Sequence, residues 1–301
     1  MEPKVSVVTV NFNSEAYILK CLKSLHDQTS LPFEYIVVSN SPVEGQFEDK
    51  LKSIHEASQL IINETNLGFA KANNVGAEAG SAPYLFFLNP DAELINDAVS
   101  VLLKSIQKQD NKAIAGPATY DKRGNLIHSV KNHISALVLL QEAIPLIKPL
   151  LPKRHHGDFI NNYLYDTCTR VPVINGSALM VPSQIYEELG GMYEDLFLYW
   201  EENDFCYRAE RKGYKTMYCP HAQILHIGGT STKENFYKLE VERHRSRKKV
   251  VLKHHEELNG WNRIMGIIGY GWRYLGSICL VKKHKIRQFG SILRWYIKEY
   301  Q

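Results

Sequence analysis

The first 120 residues of the chain alternate between strand-like and helix-like hydrophobic patterns, and this alternation restricts the fold more than any other feature of the sequence. Residues 5–12 and 84–88 are continuous β-branched or apolar runs, which are typical of parallel strands buried on both faces. Residues 95–107 instead place Val99, Leu102 and Ile106 at helical spacing. Strands and helices that alternate in this way predict an α/β fold with a doubly wound, mostly parallel central sheet and helices on both faces.

The other segments extend this pattern and add a helical C-terminus. Further strands are predicted at residues 35–38, 60–62 and 113–115, and further helices near residues 47–57 and at residues 68–79. Residues 117–172 contain turn signals and several prolines, which predict an insertion. Residues 199–213 predict a helix with an acidic start and a basic end, and the chain is predicted to be helical from Glu234 onward.

Composition places the chain among ordinary globular proteins. Of its 301 residues, 23% are charged and 44% are hydrophobic, which excludes a disordered or collagen-like chain. The five cysteines form no CxxC pair, so we predict reduced, buried thiols in a cytoplasmic protein rather than a disulfide framework or a zinc site. The sequence runs directly into the first predicted strand, so no secretory signal peptide is expected.

The C-terminal segment is strongly basic. Residues 233–301 contain 16 Lys and Arg against 6 Asp and Glu, a net charge of +10, whereas the preceding residues sum to −6. Residues 261–281 are apolar and aromatic, but Arg263 and Arg273 interrupt them, so the uncharged runs are too short to span a membrane. The basic residues that follow them predict a helix lying on an anionic membrane surface. A homodimer or another protein contact through the same apolar stripe, and a solvated helical face, are the alternatives.

A single carboxylate follows one of the buried strands. Asp91 lies in the turn Asn89-Pro90-Asp91, directly after the strand at residues 84–88. Ligands of doubly wound sheets bind outside the carboxyl ends of the strands, and a carboxylate there is a ligand for Mg²⁺ or Mn²⁺. An Asx-turn or a helix cap is the alternative role for Asp91.

A second cluster of acids opens the predicted helix at residues 199–213. Glu201, Glu202 and Asp204 lie within four residues, and like charges this close make one of them a candidate general base. The alternative is that acidic residues simply favour a helix N-terminus. Asp204 and Arg208 are one turn apart and are predicted to pair and support the helix.

Two further segments contain groups that bind phosphate or metal. His226 precedes two glycines and two hydroxyl residues, which predicts an imidazole ligand beside a flexible backbone, although most single histidines are structural. Asn66, Gly68, Phe69 and Lys71 open a predicted helix whose N-terminus suits a pyrophosphate. Neither GxGxxG nor GxxxxGK[ST] occurs, which disfavours dehydrogenases and P-loop NTPases.

Taken in order, these segments resemble family 2 inverting glycosyltransferases, and among them the rhamnosyltransferase-like branch that builds bacterial cell-surface polysaccharides. The motifs that carry the resemblance are residues 5–14 (VSVVTVNFNS), 37–41 (VVSNS), 66–74 (NLGFAKANN), 87–91 (FLNPD), 175–181 (NGSALMV), 197–208 (FLYWEENDFCYR) and 226–231 (HIGGTS). The resemblance covers residues 4 to 255. It implies a GT-A fold, which is Rossmann-like, followed by a C-terminal helical extension.

The resemblance also implies a division of the chain. A GT-A catalytic domain is expected at residues 1–232, with a nucleotide-sugar-binding half at 1–118 and an acceptor-side half with an insertion at 119–232. A basic helical extension is expected at residues 233–301.

The resemblance assigns roles to individual residues. Contacts with the donor nucleotide are implied for Val10, Asn11, Asn13, Ser39 and Asn40, in addition to Asn66, Gly68, Phe69, Lys71, Asn89 and Asp91. The family usually has Asp where this chain has Ser39. Asp91 and His226 correspond to the metal ligands, and Glu202 corresponds to the general base, with Glu201 as the second candidate. Tyr199 and Trp200 are expected on the acceptor side, where they stack on a sugar or pack in the core.

The resemblance implies an overall activity and its partners. We expect a metal-dependent transfer of a sugar, most readily rhamnose from a dTDP- or UDP-activated donor, to a glycan or lipid-linked glycan, with Mg²⁺ or Mn²⁺ as cofactor. We expect a cytoplasmic enzyme that is peripheral on the inner face of the plasma membrane and does not bind nucleic acid. A non-catalytic nucleotide-sugar or glycan-binding scaffold is the alternative, motivated by Ser39 and by the longer Glu202.

Overall fold

The computed structural model describes residues 2–127, 129–151, 166–228 and 236–300. Within these limits the chain separates into two units. The first comprises residues up to 131, from 166 to 197 and from 201 to 228, and the second comprises residues 132–151, 198–200 and 236–300. The boundary predicted between residues 232 and 233 lies outside the described residues, and the predicted halves 1–118 and 119–232 stay a prediction.

The first unit is built on a sheet whose first four strands in chain order are parallel. Its strands are β1 (Val5–Asn11), β2 (Phe33–Ser39), β3 (Ser58–Ile62), β4 (Tyr84–Leu88), β5 (Ala92–Leu94), β6 (Ala113–Tyr120), β7 (Leu126–Ile127), β8 (Val130–Lys131), β9 (Thr169–Arg170), β10 (Val173–Ile174), β11 (Ala178–Pro182) and β12 (Lys215–His226). The main order is β3-β2-β1-β4-β11-β6-β12-β5, while β8 and β10 form a separate antiparallel pair. Strands β1 to β4 run parallel, as do β6 and β12, whereas β5 and β11 are antiparallel to their neighbours.

Helices cover both faces of this sheet. They are α1 (Glu15–Gln28), α2 (Phe47–Ile54), α3 (Phe69–Ala79), α4 (Ala98–Gln107), α6 (Ser183–Glu188) and α7 (Glu201–Arg211). Val5 and Val7 of β1 pack into an apolar cluster that contains α1 and α4, whereas Val8 and Val10 pack on the opposite face with α3. Because side chains alternate along a strand, one β-branched run supplies both layers. The predicted α/β fold is thereby confirmed.

Several predicted element boundaries are wrong. Helix α4 begins at Ala98 rather than residue 95, because Asp97 caps it and accepts from the Ser100 N–H at 3.1 Å. Residues 95–97 lie outside any helix or strand and follow β5, which pairs with β12 far along the chain. Helix α7 begins at Glu201 rather than residue 199, because Tyr199 and Trp200 have φ values of +71° and +76°.

The second unit is helical. It contains α5 (Ala136–Ala143) from the predicted insertion together with α8 (Phe236–His254), α9 (Asn259–Cys279) and α10 (Lys283–Lys298), which confirms the predicted helical C-terminus over the described residues. One of its core clusters is largely aromatic and contains Tyr270 of α9 with Trp295 and Tyr296 of α10, whereas a second cluster is aliphatic. No helix in the described ranges combines the length and the apolar character needed to cross a bilayer.

A buried polar network runs through the core of this unit. Arg247 donates to Glu142 Oε2 and to the Tyr296 hydroxyl, each at 2.6 Å. The Tyr296 hydroxyl therefore directs its own proton to Nδ1 of His244, while Nε2 of His244 lies 2.7 Å from the Tyr270 hydroxyl. This arrangement places a neutral imidazole between two tyrosines.

The cysteines only partly match the expectation of buried thiols. Cys21, Cys206 and Cys219 are buried, and burial raises the pKa of the Cys21 and Cys206 thiols to about 12. The expectation is wrong for Cys279, which is exposed at the end of α9, and for Cys168, which is half-buried beside β9. All five are free thiols.

Candidate active site

The carboxyl ends of β1 and β2 bring two of the predicted donor residues together. Asn11 ends β1 and lies opposite Ser39, which ends β2. Nδ2 of Asn11 donates to Ser39 Oγ at 2.9 Å, and Ser39 Oγ donates to the Ser41 carbonyl at 2.6 Å. Oδ1 of Asn11 accepts from the Ser14 N–H at 2.9 Å. The two side chains thus hold the loops at this edge of the sheet in place.

The other predicted donor residues near these strand ends differ in their exposure to solvent. Val10 is buried in the core, whereas Asn13 is exposed at a left-handed φ of +52°, and its N–H donates to Ser41 Oγ at 2.9 Å. Asn40 is buried, donates from Nδ2 to the Gly68 carbonyl at 3.0 Å and accepts at Oδ1 from Asn63 Nδ2 at 2.8 Å. The Asn40 amide therefore ties the end of β2 to the loop that precedes α3.

That loop is shaped by a glycine that no other residue could replace. Gly68 has a φ of +83°, and a Cβ there would lie 2.6 Å from the Phe197 carbonyl oxygen. The Gly68 N–H donates to Asn66 Oδ1 at 3.0 Å, and the Phe69 N–H donates to the Phe197 carbonyl at 2.7 Å. These two amides at the start of α3 are thus bound within the protein. Lys71 in the same turn has an exposed side chain, and its Nζ lies 3.9 Å from Glu194 Oε2.

Asp91 and His226 meet at the sheet edge although they lie in distant segments. Strand β5 follows Asp91 and pairs with the end of β12, with Ala92 opposite His226. Asp91 Oδ1 lies 3.1 Å from His226 Nε2, and Asp91 Oδ2 accepts from the Gly228 N–H at 3.0 Å. Nδ2 of Asn89 lies 3.4 Å from the same imidazole nitrogen. The predicted metal ligands are therefore direct neighbours.

The Asp91 carboxylate is held in its ionised form. Burial raises its pKa, but the His226 side chain and the Gly228 amide lower it by more, so the pKa of Asp91 lies below its usual value. A hard cation bound at this position would meet a charged ligand.

The geometry of this pair fits a divalent cation. Mg²⁺ binds its ligands at about 2.0–2.1 Å in octahedral geometry, so adjacent ligand atoms lie about 3 Å apart. The 3.1 Å between Asp91 Oδ1 and His226 Nε2 is a hydrogen-bond distance, and two adjacent ligand atoms of one ion would have a similar separation. Within the described ranges no group of three His, Cys, Asp or Glu residues could hold a metal. Oxygen atoms of a substrate or of water would add further ligands beside this pair.

The predicted base is held by a lysine from another segment. Glu202 is 8% exposed at the start of α7, and its Oε1 accepts from Lys131 Nζ at 2.5 Å. Its Oε2 lies beside Gly176, where an added Cβ would approach to 3.3 Å. The second candidate, Glu201, is more deeply buried at 3% exposure. Glu202 is thus the better placed of the two to reach a ligand.

Backbone contacts connect the base to the metal ligands. The Asn89 N–H donates to the Ser177 carbonyl at 2.9 Å, and Ser177 follows Gly176. Asn89 lies beside His226, and Gly176 lies beside Glu202. The strands β1 and β4 are parallel neighbours with Val8 opposite Phe87, so the donor residues after β1 reach the same edge. The sheet therefore gathers all three predicted groups in one region of the first unit.

The supporting pair on α7 is formed. Arg208 donates from Nε to Asp204 Oδ2 at 2.7 Å, and Asp204 is fully buried. Arg208 also donates to the carbonyls of Leu189 and Gly191, at 2.5 Å and 2.8 Å. Asp204 and Arg208 thus fix α7 to the segment after α6.

Tyr199 and Trp200 belong to the second unit. Both have left-handed φ values, which are unfavourable for residues with side chains and occur mostly at functional sites. Trp200 packs against an apolar cluster that includes Leu139 and Met265. Core packing therefore accounts for much of the Trp200 side chain, and an acceptor contact by Tyr199 or Trp200 stays a prediction.

Sequence reasoning missed Lys131 and Gly176. Lys131 is an isolated basic residue in a two-residue strand, and its place opposite Val173 follows only from the pairing of β8 with β10. Gly176 lies within a quoted motif, but its closeness to Glu202 is a tertiary feature. No local pattern of charge or hydrophobicity distinguishes either residue.

Two solved glycosyltransferase structures share the fold of this chain. A mannosyltransferase from Pyrobaculum calidifontis, in complex with GDP-Man and Mn²⁺, covers 100% of this chain and 89% of its own at a TM-score of 0.62 and 12% identity. GalNAc-T7 with UDP, GalNAc and Mn²⁺ covers 77% of this chain and 44% of its own at a TM-score of 0.59 and 17% identity. The expected GT-A fold is confirmed.

Sequence comparison identifies the family. The model of glycosyl transferase family 2 matches residues 6–168, and the chain belongs to this family. The match ends before Glu202 and His226. The chain is therefore a glycosyltransferase, as the motifs predicted.

Named relatives agree with this assignment. The low-salt glycan biosynthesis hexosyltransferase Agl10 of Haloferax volcanii is 26% identical over 74% of this chain and 66% of that protein. The N-acetylglucosaminyl-diphospho-decaprenol L-rhamnosyltransferase of Mycobacterium tuberculosis is 23% identical over 77% of this chain and 78% of its own length. The dTDP-rhamnosyl transferase RfbF of Shigella flexneri is 26% identical over 77% of this chain and 72% of its own length.

Proposed function

We propose that this chain is a metal-dependent, inverting glycosyltransferase that moves a sugar from a nucleotide-sugar to a glycan or lipid-linked glycan. The observation that carries the proposal is the 3.1 Å contact between Asp91 and His226 at the edge of the sheet where ligands of such folds bind. Asp91 and His226 would hold Mg²⁺ or Mn²⁺, and the remaining ligands would come from the donor diphosphate. When bound, the ion supplies positive charge to that leaving group.

The chain's own residues then position the donor. Asn11, Ser39 and Asn40 fix the loops at the carboxyl ends of β1 and β2, against which the nucleotide would lie. Lys71, exposed in the first turn of α3, would reach the diphosphate as a point charge. These loops are held by internal hydrogen bonds, so the donor meets a site that is already formed.

Glu202 would be the general base. The acceptor hydroxyl attacks the anomeric carbon from the face opposite the diphosphate, and its proton passes to a Glu202 carboxylate oxygen. The new glycosidic bond forms as the bond from the anomeric carbon to the diphosphate oxygen breaks. One displacement inverts the anomeric configuration. Glu201 remains the second candidate for this role.

The names of the relatives support rhamnose as the sugar. Two of them are rhamnosyltransferases, and one of these is named for a dTDP-linked donor. We therefore propose dTDP-rhamnose as the donor, with a UDP-sugar as the alternative, and the synthesis of a cell-surface polysaccharide as the process.

The second unit supports a location on the inner face of the plasma membrane. Exposed apolar residues lie on one face of α9, and we call this face the α9 stripe: Trp261, Ile264, Trp272, Leu275 and Ile278. Trp272 is 67% exposed, and the exposed basic residues Lys282, Lys283, Lys285 and Arg287 follow directly. Apolar side chains beside clustered basic residues bind anionic lipid surfaces. Such a surface would bring the enzyme to a lipid-linked acceptor.

A transfer assay tests the proposed function. The full chain would be incubated with dTDP-rhamnose or a UDP-sugar, Mn²⁺, and an N-acetylglucosaminyl-diphospho-polyprenol acceptor, and the product linkage would be assigned by NMR. We expect transfer with inverted anomeric configuration that stops when the metal is chelated. A retained configuration, or full transfer in chelator, would contradict the mechanism. Donor binding without transfer to any acceptor would support the scaffold alternative.

A further inference from the structure

The pair of strands β8 and β10 forms a rigid support beside the candidate base. Lys131 on β8 lies opposite Val173 on β10. Val173 and Ile174 are buried in an apolar cluster with Phe205 and Cys206 of α7, the helix that carries Glu202. Because β10 is packed against this helix, the position of Lys131 is fixed relative to Glu202.

The two oxygens of the Glu202 carboxylate have different surroundings. Oε1 accepts from the Lys131 ammonium at 2.5 Å, and the two side chains are 33% and 10% exposed. Oε2 lies on the side of Gly176, where the backbone leaves the space that a side chain would fill. One oxygen is therefore bound by a charged donor, while the other faces a residue without a side chain.

We propose that Lys131 is a positioning residue for Glu202, and that Oε2 is the oxygen that takes the acceptor proton. This inference rests on the proposed function of Glu202 as general base. The Lys131 ammonium holds Oε1 and fixes the rotation of the carboxylate, and Gly176 keeps the approach to Oε2 open. Such an anchor matters for a glutamate, because its side chain has one more rotatable bond than an aspartate.

Substitutions at Lys131 test the role. Lys131→Met keeps most of the side-chain length but removes the donor, and Lys131→Arg restores a charged donor. Since misplacement of a reacting group by about 1 Å can cost about 100-fold in rate, we expect Lys131→Met to lower kcat about 10- to 100-fold. The KM for the donor should change by less than about twofold, and Lys131→Arg should recover most of the loss. The matched control is Lys122→Met in the exposed turn before β7.

A double substitution separates positioning from a general structural effect. When two residues act as a unit, the effects of substituting them are not additive. Lys131→Met should therefore lower kcat no further in a Glu202→Gln background. Gly176→Ala should also lower kcat in the wild-type background, because its Cβ would crowd Oε2 at 3.3 Å. Thermal unfolding of every variant shows whether it is folded.

Two outcomes would overturn the inference without touching the proposed function. One is that the wild-type chain is active and the kcat of Lys131→Met lies within twofold of the wild-type value. The other is a Lys131→Met loss that is equally large with Glu202 and with Gln at that position. Absence of transfer by the wild-type chain would instead contradict the proposed function, and the role of Lys131 would fall with it.

Discussion

At the scale of residues, the site depends on groups that pair across long stretches of sequence. Short motifs singled out Asp91, His226 and Glu202, because a carboxylate after a buried strand and an imidazole suit metal binding and an acid at a helix start suits proton transfer. Their partners do not follow from any motif. Lys131 reaches Glu202, and the Gly228 amide reaches Asp91, only through the pairing of strands that are distant in sequence.

Glu202→Gln should remove transfer while the donor still binds. Glutamine keeps the size of the side chain but cannot take the acceptor proton, so kcat should fall about 10²- to 10⁴-fold. Donor affinity, measured by calorimetry, should change by less than about twofold. Glu210→Gln on the exposed face of the same helix is the control, since its partner is Arg170. Near-normal transfer by Glu202→Gln would exclude Glu202 as the base.

Asp91→Asn should weaken binding of the donor when metal is present. The amide keeps the shape but loses the charge that attracts a hard cation. We expect at least a tenfold weaker affinity in Mn²⁺, which corresponds to about 1.4 kcal/mol. Asp27→Asn, an exposed residue paired with Lys23 on α1, is the matched control. An unchanged affinity of Asp91→Asn in Mn²⁺ would show that Asp91 does not hold the ion.

At the scale of elements, the parallel strands β1 and β4 were predictable, whereas the short antiparallel strand β5 was not. Strand β1 is buried along its whole length and strand β4 at four of its five residues, which is why both are rich in apolar or β-branched residues. Strand β5 has three residues and pairs with β12, which lies far along the chain, so no local pattern predicts it. The start of α7 was not predictable either, because it is set by the left-handed backbone at Tyr199 and Trp200.

The α9 stripe should be required for binding to anionic vesicles. Trp272→Ser combined with Leu275→Ser removes two exposed apolar side chains, so co-sedimentation with vesicles of phosphatidylglycerol and phosphatidylcholine should fall. The matched control is Ile62→Ser with Ile95→Ser, two exposed positions on the first unit. Equal binding of both double variants would exclude the stripe as the membrane contact. A change of oligomeric state on removing the stripe would indicate a protein contact instead.

At the scale of the whole molecule, the sequence predicted the class of fold and the helical C-terminus. It did not predict that residues 132–151 of the insertion pack with the C-terminal helices in one unit. That packing depends on contacts such as Arg247 with Glu142, which no periodic pattern reveals. The four tryptophans, Trp200, Trp261, Trp272 and Trp295, all lie in this second unit. Tryptophan fluorescence therefore reports on its unfolding separately.

The stability of the second unit should fall in mild acid. Burial, together with Arg247 and Arg243, lowers the pKa of His244 well below its ordinary value. Below a pH of about 6.5 the unfolded chain takes up a proton at this site and the folded chain does not. The free energy of unfolding therefore falls by up to about 1.4 kcal/mol for each pH unit. The contribution of His244 is thus complete above pH of about 6.5 and is lost as the pH falls. Fluorescence-detected denaturation at pH 5.5 and 7.5 measures it.

His244→Gln isolates this contribution from that of His255, whose pKa burial also lowers. The variant should show a smaller difference in unfolding free energy between the two pH values than the wild-type chain. An equal difference in both proteins would mean that His244 does not cause the acid sensitivity.

The most direct test of the account is calorimetric binding of dTDP-, UDP- and GDP-sugars to the full chain, with and without Mn²⁺. We expect one donor, dTDP-rhamnose, to bind tightly and only with the metal, because the ion would join the negatively charged diphosphate to Asp91 and His226. Equal affinity for a donor in Mn²⁺ and in chelator would contradict the metal role. Absence of binding by any of the three donors would contradict the proposed function of this sheet edge.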